Sequence, residues 1–499
     1  MTASTLDPVR AAAQRTPEAP ALVLDDGPVS YTDLDAQVGG AAAWLEAHDL
    51  RAGDRLAILA APSPDLIALL WGCWRAGVVA APLSLRLPDA ALADLIERLS
   101  PAALVTDWPD AAFSLPTYPL ASRRAAQSTR PTLDPRPSTF DPRPSTFDPR
   151  PSTFDPRPPT LDLRPWTLIH TSGSSGTPKA ALHTWANHLW SARGWIERLR
   201  LGPQHRWWLD LPLYHVGGLA ILVRCALAGA AAVLALPKTP LPEAVRRYGV
   251  THASLVATQL RRTLDAATEA DFDALRGMDA LLLGGSAIAE EVLREAFGAG
   301  LPVLTSYGMT EMTSTVTATP PDASFEALCT AGAVLSHREV RLADDGEILV
   351  RGRTRFAGYM DGATLTEPFD ADGWFATRDV GAWVEVNGQR LLRVVGRTDR
   401  MFISGGENIQ PEAVEAALLR LPGVRRVAVV PMQDAEFGHR PVAFVETDAH
   451  ADLDAIRSAL DVPGFMRPVA VLPWPGDLAG GIKPDLMALQ RRAAAALVG

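Results

Sequence analysis

The sequence predicts an α/β fold in which strands and helices alternate, followed by a smaller α+β unit near the C-terminal end. The chain has 499 residues, 47% of them hydrophobic, so it can bury large cores and should divide into two or more domains. Up to about Asp107, strand-like and helical runs alternate, which favours a parallel sheet with helices on its faces. Asn387-Gly388 predicts a hairpin. Beyond it, a helix, two strands and a helix are predicted over 411–419, 425–430, 442–446 and 452–460.

The N-terminal segment contains clear helix and strand signals. A helix is expected to begin at Tyr31, with Thr32 as its cap, and to continue to Ala47. A later helix should end at Gly77, because glycine readily adopts the left-handed conformation that stops a helix. A strand, a helix and a strand are predicted over 54–61, 68–75 and 78–82. No chemical motif is visible among these scaffold residues.

Charge, cysteine content and hydropathy exclude several classes of protein. A formal charge of −10 argues against a nucleic-acid partner, since a binding face would need a local basic patch on an acidic whole. The three cysteines lie far apart in apolar surroundings, which predicts buried thiols in a reducing compartment rather than a metal site or disulfides. The longest apolar run, over 219–236, is interrupted by Arg224, so no membrane insertion is expected. No basic segment followed by an apolar core begins the sequence, so we expect a cytoplasmic protein.

A proline-rich heptapeptide interrupts the alternating pattern. Asp134–Phe140 recurs from Asp141 and Asp148, and once more, altered, from Asp155. Two prolines per unit prevent a helix, and therefore a coiled coil, so an extended polyproline-like chain remains. At about 3.1 Å per residue, the four units reach at most roughly 90 Å. We interpret the segment of about 131–161 as a neutral surface insertion, with a docking tail for a partner as the alternative.

The segment Thr171–Lys179 has the composition of a phosphate-binding loop. It follows an apolar strand-like run, and a helix with regularly spaced apolar residues is predicted from Ala181 to about Leu199. Gly173 and Gly176 let the backbone turn sharply toward an anion, the hydroxyls offer donors, and the final lysine supplies positive charge. The Walker spacing is absent, which disfavours an ordinary P-loop NTPase. A Ser/Gly-rich surface linker is the alternative.

Two further loops follow predicted strands. Gly284-Gly285-Ser286 follows a strand over 280–283, and Ser306–Glu311 follows a strand over 302–305. Both loops are therefore expected at the carboxyl ends of parallel strands, where open α/β sheets bind their ligands.

The side chains of these loops suit a nucleotide. Paired glycines let an aromatic ring such as adenine lie on the backbone, and Tyr307 could stack on its other side. Thr310 could bond a phosphate. Glu311 could hold Mg²⁺, a cation that prefers carboxylate oxygen and bridges phosphates.

A histidine and an arginine stand out in the apolar stretch that follows Leu211. His215 lies between an aromatic residue and two glycines, where its imidazole could contact a ligand, although a lone histidine is more often structural. Arg224 interrupts the apolar helix predicted after it. Because a buried unpaired charge costs several kcal/mol, Arg224 requires an anion, either a protein carboxylate or a carboxylate of the substrate.

In their order and spacing, these motifs resemble the adenylate-forming superfamily of acyl-CoA synthetases, peptide-synthetase adenylation domains and firefly luciferase. The resemblance covers nearly the whole chain apart from the insertion. It implies that ATP, with Mg²⁺, turns a carboxylate into an acyl-adenylate, from which CoA then displaces AMP. It also implies a large N-terminal domain of layered sheets flanked by helices, 1–396, and a small mobile domain, 397–499, with the hinge near Asp399. One departure is Ala180, where the superfamily usually has glycine.

The resemblance also assigns roles outside these loops. Asp379 takes the ribose-binding position, although an aspartate before a tight turn more often caps it, and Arg397 also contacts ribose. Lys483 takes the place of the lysine that bridges the α-phosphate and the attacking carboxylate, although its flanks differ from the common Thr-x-x-Gly-Lys form. The flexible loop 404–409 reaches the active site for thiol transfer, and its implied contact residues are Gly405, Gly406, Glu407 and Asn408.

Two groups of residues complete the implied site. The catalytic residues are Lys483, His215, Thr310 and Glu311, with Glu311 as the metal ligand. The residues for ATP and AMP are Thr171, Ser172, Gly173, Ser174, Ser175, Gly176, Thr177, Lys179, Gly284, Gly285, Ser286, Ser306, Tyr307, Gly308, Thr310, Asp379, Arg397 and Lys483.

Within the superfamily, four stretches are most similar to the branch that activates o-succinylbenzoate in menaquinone synthesis, namely 211–218, 250–256, 434–438 and 480–483. This similarity implies an aromatic keto-diacid as substrate, with Arg224 as the cation for its second carboxylate or its keto group. His215 would lie beside the acyl pocket and the thiol channel. Ser254 and Gln259, with the loop near Gly284, would line that pocket.

The sequence also allows other functions. A ligase for another aryl or medium-chain acid would share every nucleotide-binding residue and differ in the pocket. A non-catalytic adenylate-binding protein is disfavoured, because binding alone needs neither Glu311 nor Lys483. A peptide-synthetase module is expected less, since no carrier-domain serine motif is visible. The expected partners are small molecules, namely a carboxylic acid, ATP and CoA, and a homodimer is left open.

Overall fold

The structure, a computed structural model, describes 7–85, 87, 89–107, 115–120, 163–171, 179–236, 238–285, 288–404, 407–434, 436–447, 452–478 and 484–498. Over these residues the chain forms an α/β protein with a large N-terminal and a small C-terminal domain, so the predicted fold class is confirmed. The proline-rich segment predicted at about 131–161 lies outside the described residues.

The described helices lie between the strands throughout the large domain. They are α1 (Pro8–Arg15), α2 (Tyr31–Ala47), α3 (Pro64–Ala76), α4 (Asp89–Leu99), α5 (Trp185–Leu199), α6 (Val216–Ala228), α7 (Leu241–Tyr248), α8 (Ala257–Ala266), α9 (Glu269–Arg276), α10 (Glu290–Gly298), α11 (Phe325–Leu328), α12 (Pro411–Leu419), α13 (Leu453–Ala459) and α14 (Leu486–Val498). Short 3₁₀ turns lie at Thr310–Met312, Gly464–Met466 and Gly476–Leu478.

The described strands are β1 (Pro20–Leu24), β2 (Gly27–Ser30), β3 (Arg55–Leu59), β4 (Val79–Pro82), β5 (Ala103–Thr106), β6 (Thr117–Pro119), β7 (Pro165–Thr171), β8 (Lys179–Thr184), β9 (Arg206–Trp208), β10 (Ala231–Val233), β11 (His252–Leu255), β12 (Ala280–Leu283), β13 (Val303–Met309), β14 (Ser314–Ala318), β15 (Ala333–Val334), β16 (Arg338–Leu342), β17 (Glu347–Gly352), β18 (Gly358–Asp361), β19 (Thr364–Thr366), β20 (Phe375–Val386), β21 (Gln389–Arg397), β22 (Phe402–Ser404), β23 (Glu407–Ile409), β24 (Val424–Asp434), β25 (Gly438–Thr447) and β26 (Ala470–Pro473).

These strands form layered sheets. A nine-stranded sheet has the order β15-β14-β13-β12-β11-β9-β10-β1-β2, parallel from β13 to β1, and an eight-stranded sheet has the order β19-β18-β8-β7-β4-β3-β5-β6, parallel from β7 to β6. An antiparallel sheet, β16-β17-β20-β21, follows. The small domain contains β23-β22-β25-β24, with β26 parallel to β25.

One large apolar core joins the two long sheets. It contains Leu22 and Trp207 of the nine-stranded sheet, Ile58 and Trp166 of the eight-stranded sheet, and residues of α2, α3, α5 and α6. These helices therefore lie between the sheets, where both of their neighbours exclude water. Two separate cores contain only residues from Phe402 onward. The small domain thus has an interior of its own.

The helix predicted from Ala181 is wrong in its first four residues. The chain after the phosphate-loop segment forms β8, which pairs antiparallel with β7 and with β18, and α5 begins only at Trp185. Pairing on both edges outweighs the helix propensity of the two alanines. Thr184 then caps α5, with Asn187 completing a reciprocal capping pair.

The cap predicted for α2 is also corrected. Ser30, not Thr32, caps this helix, because its hydroxyl accepts a hydrogen bond from Asp33 N at 3.1 Å. Other predicted boundaries hold: Gly77 ends α3 with φ of 75°, the strand over 280–283 is present, and α12 covers Pro411–Leu419. Asp452 caps α13 rather than belonging to it, and the hairpin at Asn387-Gly388 joins β20 to β21.

Two of the three cysteines are buried as predicted, whereas Cys329 is not fully buried. Cys73 and Cys225 are buried, Cys329 is half-buried, and all three are free thiols. No described helix is both long enough and apolar enough to cross a bilayer.

Candidate nucleotide and acyl site

The ends of the predicted phosphate loop are held together by a hairpin. Thr171, the last residue of β7, pairs with Lys179, the first residue of β8, and its hydroxyl lies 3.5 Å from the carbonyl oxygen of Lys179. The segment between them, 172–178, with the predicted residues Ser172, Gly173, Ser174, Ser175, Gly176 and Thr177, lies outside the described residues. The residues that surround this loop form the described part of the site.

Glu311 meets the phosphate-loop strand through a tyrosine. The Tyr359 hydroxyl donates to Glu311 Oε1 at 2.6 Å, and Lys179 Nζ lies 4.9 Å from the centroid of the same ring. The backbone of Phe356 donates to Glu311 O at 2.8 Å. The sequence places Lys179 and Glu311 on separate motifs. In the structure both contact Tyr359, Glu311 through the hydroxyl and Lys179 over the ring.

A buried histidine ties Thr310 to β8. His183 Nε2 lies 2.7 Å from the carbonyl oxygen of Thr310, which can only accept, so this nitrogen carries the proton. Thr167 connects the other side of the His183 ring to His188, at 3.5 and 2.8 Å. Burial lowers the pKa of His183 to about 4, so the ring is neutral near pH 7. The turn that carries Glu311 is therefore fixed to the strand that begins with Lys179.

The glycine pair lies where the sequence predicted it. Gly284 directly follows β12, and a Cβ at this position would lie 2.6 Å from Ser306 Oγ, so no larger residue fits without displacing it. Ser306 Oγ donates to Leu283 O at 2.9 Å. Gly285 has φ of 83°, a conformation that favours glycine. Ser286 lies outside the described residues.

The sequence predicted a loop over 306–309, but the structure shows that these residues form the end of β13. Here the strand leaves its parallel neighbour β12 and pairs antiparallel with β14, with an irregularity between Tyr307 and Gly308. Gly308 lies against the backbone of Ser314 and Thr315, closer than any Cβ would permit. The backbone pairing takes up groups that a free loop would have left to solvent.

Asp379 lies in β20 rather than in a tight turn, and it bonds two other predicted nucleotide residues. Its Oδ2 accepts from the Tyr307 hydroxyl at 2.6 Å, and its Oδ1 accepts from Arg397 Nη1 at 2.7 Å. Arg378, with φ of 65°, provides the local distortion that the sequence suggested as a turn. Burial, and then the charge of Asp379, raise the pKa of Tyr307 well above its usual value, so its hydroxyl remains a donor.

The predicted hinge residue belongs to the same network. Asp399 accepts from Arg397 Nε and Nη2 at 2.9 and 3.0 Å, and lies 3.9 Å from Arg378. The next residue, Arg400, instead pairs with Glu412 and Glu415 of the small domain. Asp399 thus contacts Arg378 and Arg397, on β20 and β21, whereas the adjacent Arg400 contacts α12.

Arg224 is buried without a protein carboxylate beside it. Its Nε donates to Ala220 O at 2.9 Å, its guanidinium lies 4.3 Å from the centroid of Trp207, and Nη1 has no hydrogen-bond partner among the described residues. No carboxylate in the described part of the chain forms an ion pair with it. Burial lowers the pKa of Arg224 to about 10, so it stays protonated at neutral pH.

The two predicted pocket residues differ in their engagement. Ser254 Oγ accepts from Trp207 Nε1 at 3.1 Å, so it contacts the ring over which Arg224 lies. Gln259 is held at both ends, because Oε1 accepts from Val256 N at 3.0 Å and Nε2 donates to Asp210 at 2.6 Å. These two bonds fix the side chain but use only one of its two N–H donors and one lone pair of its oxygen, so Gln259 keeps a donor and an acceptor position for a ligand.

His215 lies at the expected turn. It is the residue immediately before α6, and its ring centroid lies 4.7 Å from that of Tyr214. Gly218, in the first turn of the helix, approaches the carbonyl oxygens of Leu211 and Pro212 more closely than a side chain would permit. This close contact holds the start of α6 against the segment before it and so fixes the backbone position of His215.

The loop 404–409, predicted to take part in thiol transfer, is partly described. Glu407, in β23, and Ser404, in β22, line a cavity of about 300 Å³ together with Phe437, Arg440, Gly464 and Phe465. Gly405, Gly406 and Lys483 lie outside the described residues, as does the side chain of Asn408. The predictions for these four residues stay predictions.

The donor set suits magnesium held mainly by a nucleotide. In the described part of the chain, no group of three or more acidic, histidine or cysteine side chains could form a protein cage for a metal. Glu311 is a single carboxylate, with Oε1 bonded to Tyr359. Mg²⁺ is usually bound by one or two carboxylates plus substrate phosphates, which fits this arrangement.

Sequence reasoning missed Tyr359, His183 and Trp207. None belongs to a motif, and each reaches the site through a strand pairing or a packing contact with a distant part of the chain. The only local signal was the glycine before Tyr359, whose φ of 150° accompanies a close approach to Thr366.

Comparison with known proteins identifies the class. Residues 9–360 match the AMP-binding enzyme family, and residues 413–474 match the AMP-binding enzyme C-terminal domain. The chain belongs to the AMP-binding enzyme family. It is 35% identical over 477 residues to 2-succinylbenzoate–CoA ligase of Salmonella typhimurium, covering 95% of each chain. It is 40% identical over 322 residues to the Escherichia coli ligase of that name, covering 64% of this chain and 67% of that one.

Solved structures show the same similarity. An E. coli MenE variant with bound OSB-AMS has a TM-score of 0.79 at 30% identity and 99% coverage of both chains. Bacillus subtilis o-succinylbenzoate CoA synthetase (MenE) in complex with the acyl-adenylate OSB-AMP has a TM-score of 0.81 at 26% identity, with 97% and 98% coverage. The B. subtilis enzyme in complex with ATP and magnesium has a TM-score of 0.78 at 26% identity, with 94% and 95% coverage.

Proposed function

We propose that this protein is an ATP-dependent o-succinylbenzoate–CoA ligase that works through an acyl-adenylate. The observation that carries the proposal is Arg224, a buried guanidinium with no carboxylate partner among the described residues. A keto-diacid supplies what this cation lacks, because one carboxylate can be activated while the other meets Arg224. The relatives named 2-succinylbenzoate–CoA ligase support the same substrate.

In the first half-reaction, a carboxylate oxygen attacks the α-phosphorus of ATP and pyrophosphate leaves with the electron pair of the broken P–O bond. We assign the phosphates to the loop Thr171–Lys179 and to Thr310, the adenine to Gly284-Gly285 and Tyr307, and the ribose to Asp379 and Arg397. Glu311 would hold Mg²⁺, which neutralises phosphate charge. Lys483 would bridge the α-phosphate and the attacking carboxylate as charge builds.

In the second half-reaction, the thiol of CoA attacks the acyl carbonyl carbon and AMP leaves. We propose that the small domain, 397–499, turns about Asp399 and brings the loop Gly405–Asn408 to the acyl-adenylate. Arg397 bonds Asp379 in the large domain, whereas Arg400 pairs with Glu412 in the small domain. These different partners support a pivot between the two arginines. His215 would stand beside the channel through which the thiol enters.

Specificity for the acid would come from the charge of Arg224 as well as from the shape of the pocket. The guanidinium of Arg224 lies over the ring of Trp207, and Trp207 Nε1 donates a hydrogen bond to Ser254 Oγ, which holds the ring in place. A pocket distinguishes one methylene by only about 1–3 kcal/mol, whereas an unpaired buried cation penalises a monoacid far more. Benzoate and hexanoate should therefore be poor substrates.

The remaining assignments concern the whole protein. Its partners are small molecules, namely the acid, ATP and CoA. We propose a cytoplasmic enzyme, and sedimentation velocity would distinguish a monomer from a homodimer.

The test is pyrophosphate release and CoA-thioester formation with o-succinylbenzoate, benzoate and hexanoate, each with ATP, Mg²⁺ and CoA. A strong preference for o-succinylbenzoate is expected. Turnover of a different acid would keep the two half-reactions and discard the substrate. ATP binding without pyrophosphate release for any acid would instead support a non-catalytic adenylate-binding protein.

A further inference from the structure

Tyr359 occupies a position that no motif marks. It lies in β18, whose register places it opposite Ala181 of β8, two residues after Lys179. Its ring packs edge-on against Phe356 at 4.8 Å between centroids. Pairing with β8 on one side and packing on the other fix the ring in place beside the phosphate-loop strand.

The hydroxyl and the ring of Tyr359 contact opposite charges. Its hydroxyl donates to Glu311 Oε1 at 2.6 Å, whereas Lys179 Nζ lies over the ring at 4.9 Å from the centroid. Glu311 Oε2 has no hydrogen bond to any residue that the structure describes. The hydroxyl therefore occupies one carboxylate oxygen and leaves the other available to a cation.

The ring also separates the two charges. Lys179 and Glu311 form no ion pair with each other among the described residues, although both contact Tyr359. A direct ion pair would have to be broken before the lysine could meet phosphate and the carboxylate could meet magnesium. A cation over an aromatic face loses less when it moves to a phosphate, because that attraction is modest at a partly exposed site.

The hydroxyl is suited to this task at ordinary pH. A phenol is protonated at neutral pH and so can donate, and a donor to a carboxylate forms one of the stronger hydrogen bonds in proteins. A second bond, from Phe356 N to Glu311 O, holds the backbone of the same residue.

We propose that Tyr359 is a positioning residue for magnesium–ATP, whose hydroxyl orients Glu311 for the metal and whose ring keeps Lys179 apart from it for the phosphates. The proposal rests on the proposed function only in its use of magnesium and ATP, not in the identity of the acid. It divides the side chain into two separable parts. Removing the hydroxyl should affect the metal, and removing the ring should affect the phosphates as well.

The test is calorimetric titration of the full chain with ATP, once with Mg²⁺ and once with excess EDTA. Tyr359→Phe keeps the ring, so ATP affinity in EDTA should stay within about twofold of wild type, while affinity with Mg²⁺ should fall about tenfold, as expected for a lost bond to a charged group. Tyr359→Leu removes both parts, so affinity should fall about tenfold in EDTA and by more than the Tyr359→Phe loss with Mg²⁺.

Tyr248→Phe is the matched control, because Tyr248 also donates to a carboxylate, Asp25, at 3.0 Å but is the last residue of α7, which is not part of the proposed site. Its titrations should match wild type in both buffers. An unchanged magnesium titration for Tyr359→Phe, or an equal loss in both buffers, would overturn the proposal. If Tyr359→Leu fails to fold, Tyr359→Phe still decides. These titrations contain no acid, so they do not depend on which acid is the substrate. If the wild type binds magnesium–ATP here but forms no thioester with any acid in the CoA assay described above, the proposed function alone is refuted.

Discussion

Arg397 donates from Nη1 to Asp379 Oδ1 at 2.7 Å and so joins the last residue of β21 to the middle of β20. The other edge of the same guanidinium holds Asp399. The residue proposed for ribose and the residue proposed as hinge therefore share one arginine. If both proposed roles hold, a nucleotide that competes for Arg397 would weaken its bonds to Asp399, and we propose that ATP binding is coupled in this way to the orientation of the small domain.

Replacing Asp379 tests the ribose assignment. Asp379→Asn keeps the shape but removes the charge that Arg397 and Tyr307 contact. We expect the KM for ATP to rise about tenfold or more and the free energy of unfolding to fall by about 1–3 kcal/mol, because buried donors lose a charged acceptor. Steady-state kinetics and urea denaturation measure both. Asp25→Asn, at a surface ion pair with Arg247, is the control, and an unchanged KM for ATP would contradict the assignment.

Arg224→Lys should damage acid binding selectively. Lysine keeps the charge but loses the planar guanidinium that lies over Trp207. The KM for o-succinylbenzoate should rise about tenfold or more, while the KM for ATP stays within about twofold.

Arg338→Lys is the matched control for Arg224→Lys. Arg338 is equally buried, but its donors go to carbonyl oxygens of Thr315, Ser336 and Ser191. This variant should lower stability without a selective change in acid KM. The same rise in acid KM for both variants would remove the special role of Arg224.

Lys483→Ala should separate the two half-reactions. We expect adenylation, followed as pyrophosphate release, to fall by about 10²–10³-fold, the usual cost of losing a group that stabilises transition-state charge. Thioester formation from supplied acyl-adenylate should remain nearly intact, because the α-phosphate has already been transferred. Equal loss in both assays would refute the role.

His183 should make stability depend on pH. Burial lowers its pKa to about 4 from the usual 6.5, so between these values the unfolded chain binds more protons than the folded one. The free energy of unfolding should therefore fall as pH falls, by about 1.4 kcal/mol at pH 5.5 relative to pH 8 for this residue. His183→Gln cannot titrate and should show a shallower dependence in urea denaturation. Parallel curves for the two proteins would show that His183 does not contribute.

The proline-rich insertion should be dispensable for catalysis. Deleting two heptapeptide units within 131–161 should leave pyrophosphate release within about twofold, since a sequence with two prolines and few apolar residues per unit is expected to contribute little to an apolar core. Pyrophosphate release measured for the wild type and the deletion variant would test this. A folded variant without turnover would show that the segment takes part in the reaction.

Local patterns predicted the elements whose cause lies within a few residues. The strand over 280–283, the helix over 411–419 and the stop at Gly77 depend on apolar spacing, caps and glycine conformation, so neighbours in sequence decide them. The order of the motifs also identified the superfamily, because the nucleotide requires glycines, hydroxyls and charges at strand ends. These parts of the chain were determined by the sequence itself.

Only the tertiary structure decided which side chains meet. Residues 181–184 form a strand because β7 and β18 pair with them, and Tyr359 meets Glu311 because β18 lies beside β8. Local composition predicted a helix for the first and no role for the second. Likewise, whether Arg224 has a protein carboxylate depends on residues far along the chain. Contacts between distant segments depend on how sheets and helices pack, which no short window of sequence contains.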